Sequence, residues 1–144
     1  MQDNHTFIFL PGVWKGTGKI SFNVNPEEIK FSTEWTINEA IDNTIHCSQK
    51  VLMENMDESV CNKFTVSKIV PESFQILLEN HSEEKIPGTG IFDSEKIAWE
   101  FRNMDGFEGF EIYEKDGENK YNFHAEYITA DKFRTVIDGS IEKK

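Results

Sequence analysis

Apolar and polar residues alternate along most of this chain. In the first segment Trp14, Gly16, Gly18, Ile20, Phe22 and Val24 share one parity, and in the second Phe31, Thr33, Trp35 and Ile37 do. Ile45, Cys47, Val51 and Met53 follow, with polar Gln49 among them, and then Phe64 and Val66. Phe74, Ile76 and Leu78 form another face. Ile97, Trp99 and Phe101 alternate with Lys96, Glu100 and Arg102, and Tyr121, Phe123, Ala125 and Tyr127 alternate with Asn122, His124 and Glu126. Phe133, Thr135, Ile137 and Ile141 close the series. A period of two over so many short runs predicts half-buried antiparallel strands.

Turn-forming residues separate the runs. They cluster at 25–28, 39–43, 55–58, 71–73, 80–85, 93–95, 103–106, 115–119 and 129–132, dividing the chain into about ten segments. Asp116-Gly117 is the strongest hairpin signal, because aromatic alternation flanks it on both sides. Residues 26–30 allow one helical turn, and nothing longer has helical period and caps. Pro87, Gly88 and Gly90 fall within a strand expected around Lys85 to Phe92, where they suggest an edge position or a bend. Short connections favour sequential neighbours, and closure removes exposed edges. The expected fold is therefore all-β: one closed up-and-down antiparallel barrel of about ten strands, wide enough for an internal chamber. Residues 12–144 form that domain, and 1–11 are expected to be an N-terminal tail.

At 144 residues the chain fits a single domain able to bury a core. Twelve of its residues are Phe, which favours strands and supplies large buried area. The net charge of −11 repels phosphate backbones and anionic lipid, so neither nucleic acid nor a membrane surface is an expected partner. The apolar run Phe7 to Leu10 is too short for a signal peptide or a membrane span, and a cytoplasmic location is expected. Cys47 and Cys61 fit free thiols in that compartment. No grouping of Cys and His suggests a metal site.

The opening strand reads Gly12-Val13-Trp14-Lys15-Gly16-Thr17-Gly18. Glycines on one parity leave that face bare, so the strand can bend or admit a close neighbour. Trp14 between them is suited to plug a barrel end. This stretch resembles the start of calycin-type barrels, the lipocalins and fatty-acid-binding proteins, which open with Gly-x-Trp. With Glu27-Glu28-Ile29-Lys30-Phe31 after it, it is most similar to the nitrobindin family. The resemblance implies a ten-stranded barrel, haem as a guest, and a late Arg or Lys packed across the Trp. Arg134 is the residue matching that last role, as a structural pair with Trp14.

Parity tests the haem expectation. His124 and His46 alternate with inward residues and should face out, His81 is in a turn, and His5 is in the tail. An iron ligand must point into the pocket, and no histidine follows His124. No cofactor is therefore expected from the residues, and haem stays an expectation of the resemblance alone. Glu111 shares parity with Phe107, Gly109 and Tyr113, but the face with Phe110 and Ile112 is a comparable inward candidate. Cys47 reads as a small buried hydrophobe. Gly88-Thr89-Gly90 lacks a Walker lysine. Arg102 reads as a solvated outer residue, or as a contact to an acidic head group if its strand bulges.

The expected function is binding of a small, mostly apolar molecule inside the barrel, with no catalytic residue assigned. Phe31, Trp35, Phe64 and Trp99 are candidate ligand-binding residues, together with Phe101, Tyr113, Phe123 and Tyr127. Gln49, Thr33 and the tyrosine hydroxyls can supply polar contacts. Three alternatives stay open: an isomerase or decarboxylase on the same scaffold using Glu111, Tyr113 and Tyr127; haem or nitric-oxide binding; and a filled barrel serving protein interaction. The chain is expected to be a monomer or a homodimer.

Overall fold

The computed structural model describes residues 5–80, 84–102, 107–129 and 131–144, and the side chains of all of these except 25 and 26. Ten strands run in sequence: β1 (Gly12–Phe22), β2 (Asn25–Ile37), β3 (Ile45–Met53), β4 (Val60–Val70), β5 (Ser73–Glu79), β6 (Lys85–Phe92), β7 (Lys96–Arg102), β8 (Glu108–Lys115), β9 (Lys120–Ile128) and β10 (Arg134–Lys143). Each pairs with its sequence neighbours, and β10 pairs with β1 to close an antiparallel barrel. No described residue is helical, and no helix is long and apolar enough to cross a membrane. Residues 26–30, where one helical turn was allowed, belong to β2 instead. Their register with Ser21 to Phe22 makes them half of a hairpin, whose turn is Asn23-Val24. The interruption expected at 103–106 lies outside the described residues, as does the core of the one at 80–85.

The parity pattern maps onto the wall as alternation demands. Phe31, Thr33, Trp35 and Ile37 are all buried, as are Phe74, Ile76 and Leu78. β6 spans the expected residues despite Pro87. Pro87 pairs with Leu77 on β5, while the pairing of β6 with β7 starts only at Gly88, so its missing N–H costs no bond on that side.

Inward glycines have a specific use. Gly18, Gly88, Gly90, Gly109 and Gly139 lie across from Phe31, Phe101, Phe74, Tyr127 and Phe123 in the strand register. In each case the partner's ring occupies the space a Cβ would take, 2.1 Å from that position at Gly90 and at Gly109. The bare face is therefore filled by aromatic rings of the next strand.

The first residues correct the expected boundary. Residues 5–9 are part of the core, not a tail: His5, Phe7 and Ile8 are fully buried and Phe9 nearly so. Three consecutive side chains cannot all point inward from a strand. A tight turn achieves it here, with Ile8 at φ 66°, a left-handed conformation uncommon for a β-branched residue. Phe7 then sits 5.5 Å from Trp14, 5.3 Å from Trp35, 4.8 Å from Tyr113 and 5.6 Å from Tyr121, ring centre to ring centre. His5 locks the segment down. Its Nδ1 lies 2.7 Å from the Tyr121 hydroxyl and its Nε2 2.5 Å from the Asp93 carbonyl. A carbonyl only accepts, so Nε2 carries the proton and Nδ1 accepts from Tyr121.

Trp14 lies at this closed end, but Arg134 does not pack on it. β10 runs antiparallel to β1, so Trp14 stands opposite Lys143, and the start of β10 stands beside the end of β1, where Phe22 pairs with Thr135. Arg134 is at the far rim, with its side chain outside the barrel on Glu126. The late basic residue level with Trp14 is Lys143, whose Cε lies 3.0 Å from the Cβ position of Gly12.

Candidate functional site

From the closed end upward, the interior is first filled by packed rings. Trp35 packs on Phe64 at 5.0 Å, and Trp99 stacks on Tyr113 at 5.1 Å. Tyr113 stacks in turn on Phe123 at 5.3 Å. Above this floor the barrel is hollow. A cavity of about 790 Å³ opens towards the β5–β6 and β9–β10 connections. Drug-sized guests occupy pockets of roughly 300–1,000 Å³, so this volume suits a small molecule.

The wall is mostly apolar. Phe31, Phe64, Phe123 and Tyr127 line it, four of the eight residues expected to bind a ligand. The other four do not line it. Trp35, Trp99 and Tyr113 form the packed floor, and Phe101 is buried in the wall with its ring over Gly88. The reason is height along the strand, which parity does not report. Phe107 and Phe133 were not singled out for the site, yet both line the cavity near its mouth. Phe107 stacks on Tyr127 at 5.6 Å, and Phe133 packs on Phe22 at 5.4 Å.

Polar groups fall in three places. On one wall Asn62 Nδ2 donates to Gln49 Oε1 at 3.3 Å, and Gln49 Nε2 donates to Thr33 Oγ1 at 3.3 Å. At the mouth are Asn80, Glu84, Thr129 and Asp131. Glu111 stands alone on the cavity floor, buried, and the face it shares with Gly109 and Tyr113 is the inward one. Gly109 signals this parity, because it makes room for the Tyr127 ring.

Glu111 is held by donors. The Tyr113 hydroxyl donates to Oε1 at 2.8 Å, and the Tyr127 hydroxyl donates to Oε2. The Trp99 indole N–H is near enough to favour the charged form but makes no hydrogen bond. Burial pushes the Glu111 carboxyl above the usual range, and the three donors pull it back in part. Burial also lifts the Tyr113 and Tyr127 hydroxyls well above their ordinary values, and the adjacent carboxylate adds to this. Both tyrosines are therefore neutral donors. The arrangement can bind a group that contributes a donor or a positive charge, and it places an acid beside two phenols.

Other candidates resolve away from the cavity. Burial pushes the Cys47 thiol up to about 12, which leaves no thiolate for nucleophilic work. Arg102 is exposed on the outer face and pairs with Glu100 at 3.5 Å, so it is the solvated residue. His124 faces outward between Asp138 at 2.5 Å and Glu126 at 2.7 Å, and these carboxylates raise its pKa. His46 is exposed and His5 is committed to the closed end. His81 lies outside the described residues. The described residues thus do not fit a haem held by a histidine, since none of the described histidines lines the cavity.

No protein-family model matches this chain, and no curated protein matches it. Solved structures do. The S-type phycobiliprotein lyase CPES from Guillardia theta is similar with a TM-score of 0.71 at 8% identity, covering 93% of this chain and 88% of that one. Rv2717c from M. tuberculosis is similar with a TM-score of 0.71 at 11% identity, covering 94% and 92%. Identities this low carry the fold and nothing further. The architecture is that of a lipocalin-like, calycin-type barrel of ten antiparallel strands. No particular kinship with nitrobindins emerges.

Proposed function

We propose that this barrel binds a small, mostly apolar molecule in its hollow half. The observation that carries the reading is the division of one interior into a packed floor and a cavity of about 790 Å³. Aromatic side chains build both, the tryptophans in the floor and Phe and Tyr around the cavity. A chain able to fill one half with rings leaves the other open, with apolar wall exposed to water, which costs free energy unless a guest covers it. No cofactor is part of this reading.

Native mass spectrometry of the purified protein, compared with its denatured mass, tests it directly. A bound small molecule, or saturable binding of the neutral probe N-phenyl-1-naphthylamine, is the expected result. Val51 lines the cavity, and Val51→Trp should narrow it and weaken probe binding while the fold persists. A wild-type protein that neither carries nor takes up any apolar molecule would overturn the reading.

A second reading rests on the convergence of Glu111, Tyr113 and Tyr127. A buried acid whose pKa is raised, facing a cavity, is suited to proton transfer to or from a bound molecule. An isomerase-type or decarboxylase-type reaction would use it. One similar structure carries an enzymatic name, phycobiliprotein lyase, so the architecture is compatible with catalysis. Turnover of a bound molecule that is lost in both Glu111→Gln and Tyr127→Phe would favour this reading over simple binding.

A further inference from the structure

We propose that the guest of the cavity carries a cationic nitrogen and that Glu111 is its counter-charge. This rests on the binding reading above and adds the chemical class of the ligand.

The first observation is the sign of the charges. The charged residues lining the cavity are Glu84 and Asp131 at the mouth and Glu111 on the floor. Among the described residues, no Lys, Arg or His lines it. A fatty acid or another anionic amphiphile would bring a carboxylate into a chamber whose charged residues, among those described, are all acids, beneath a net charge of −11. A cation is drawn in by that field.

The second observation is the coordination of Glu111. A buried carboxylate needs both hydrogen bonds and a positive partner. It has the hydrogen bonds: Tyr113 and Tyr127 donate to different oxygens, the pattern that suits an ionised group. Among the described residues it has no cation beside it. The influences on it are burial and neutral donors, with no basic side chain among them. Each carboxylate oxygen keeps a free lone pair, and the group borders open cavity rather than packed wall. An ammonium entering from the mouth would meet this acceptor at the floor.

The third observation is the aromatic wall. Phe123 and Tyr127 line the cavity beside Glu111, and Phe31 and Phe107 surround the path above. Ring faces attract organic cations, and attract them more where water is excluded. The guest that satisfies all three observations is an amphipathic amine: an apolar body filling the aromatic chamber and a protonated nitrogen at Glu111.

A matched series tests the charge class separately from binding itself. Isothermal titration calorimetry would compare decylammonium, decanol and decanoate at micromolar concentration and physiological salt. Decylammonium should bind about tenfold tighter than decanol or more, with decanoate weakest, a step typical of one buried ion pair. Glu111→Gln should remove that advantage and leave decanol affinity within about twofold. Glu142→Gln, an exposed acid away from the cavity, should keep it, which separates a local counter-charge from the general field. If decanol or decanoate binds as tightly as decylammonium, the charge assignment fails and the apolar pocket stands. Full amine preference in Glu111→Gln likewise overturns the assignment. If none of the three binds, the pocket reading fails and this proposal with it.

Discussion

At the closed end of the barrel, Phe7, Trp14, Trp35, Tyr113 and Tyr121 meet ring to ring. At the open end Phe31, Phe107, Phe123, Phe133 and Tyr127 stand around a void. Both ends are aromatic, although the three tryptophans lie in the packed part and none lines the cavity, and strand pairing is continuous between the ends. A second difference is a piece of chain. Residues 5–9 enter one end and bring Phe7 among the rings there, and no other described segment outside the strands fills the cavity in that way. Ten strands enclose more volume than their own side chains fill. One end fills this volume with an inserted segment, and the other keeps a cavity of about 790 Å³.

The largest predicted effect follows from that division. Phe7→Ala removes a fully buried ring touching four others and should cost about 3–5 kcal/mol of stability, read by urea unfolding. Phe133→Ala at the mouth should cost about 1 kcal/mol or less, because its ring is only partly buried. Probe affinity should move the other way, falling in Phe133→Ala and persisting in whatever Phe7→Ala protein remains folded. Equal losses of stability from both substitutions would erase the distinction between the ends.

The strands were legible in the sequence because burial in a barrel wall is itself a period of two. Even β6 was readable through Pro87 and its glycines. The closed-end segment was not, for a physical reason. Phe7, Ile8 and Phe9 are consecutive, and a turn at Ile8 buries all of them without any periodicity to detect. Height along the barrel was equally invisible. Parity placed Trp35, Trp99 and Tyr113 on the inner face, and only the inserted Phe7 decides that they are floor. The pairing expected between Trp14 and Arg134 needed the β1–β10 register, which puts Lys143 there instead. Glu111 was half legible, since two faces of β8 looked comparably inward. The pairing of Gly109 with Tyr127 resolves it, because the Tyr127 ring lies where a Cβ on residue 109 would stand and glycine leaves that space open.

That glycine rule gives a smaller and sharper test. Gly90 holds the Phe74 ring, which is walled in by Phe9 at 5.7 Å and Phe92 at 6.2 Å. Gly109 holds the Tyr127 ring, which borders the cavity. Adding a methyl should therefore cost about 2–3 kcal/mol in Gly90→Ala, where the ring has nowhere to go, and about 1 kcal/mol in Gly109→Ala, where it swings into open space. Ligand binding should reverse that order. Gly109→Ala displaces the hydroxyl that donates to Glu111 and should weaken binding, while Gly90→Ala leaves the chamber intact. Chemical denaturation and probe titration on the two variants check both halves.

The smallest effect concerns acid, and here the two ends respond with opposite sign. His5 at the closed end is buried, and burial foremost holds its pKa below the ordinary value near 6.5, with Lys115 adding to the depression and the Asp93 carbonyl opposing it. The unfolded chain then takes up a proton at a higher pH than the folded one. The stability this neutral imidazole supports is complete above pH 6.5 and is lost as pH falls towards the folded value. Glu111 at the cavity is the reverse case. Its folded pKa is raised above 4.5, so the folded state protonates first, and its burial penalty is relieved as pH falls through that raised value. His124 on the outer face, whose pKa Glu126 and Asp138 raise, is common to every variant and cancels in differences. His5→Gln keeps one donor and one acceptor for Asp93 and Tyr121 without titrating. It should flatten the loss of melting temperature between neutral and mildly acidic buffer relative to wild type. Glu111→Gln should raise the melting temperature at neutral pH and steepen the acid loss, because the relief from Glu111 is gone. A stabilising substitution that also weakens ligand binding is the mark of a group kept for function at a cost to the fold. If Glu111→Gln instead destabilises the protein at neutral pH, the carboxylate belongs to the packed floor, and the boundary between the solid and hollow halves lies above it.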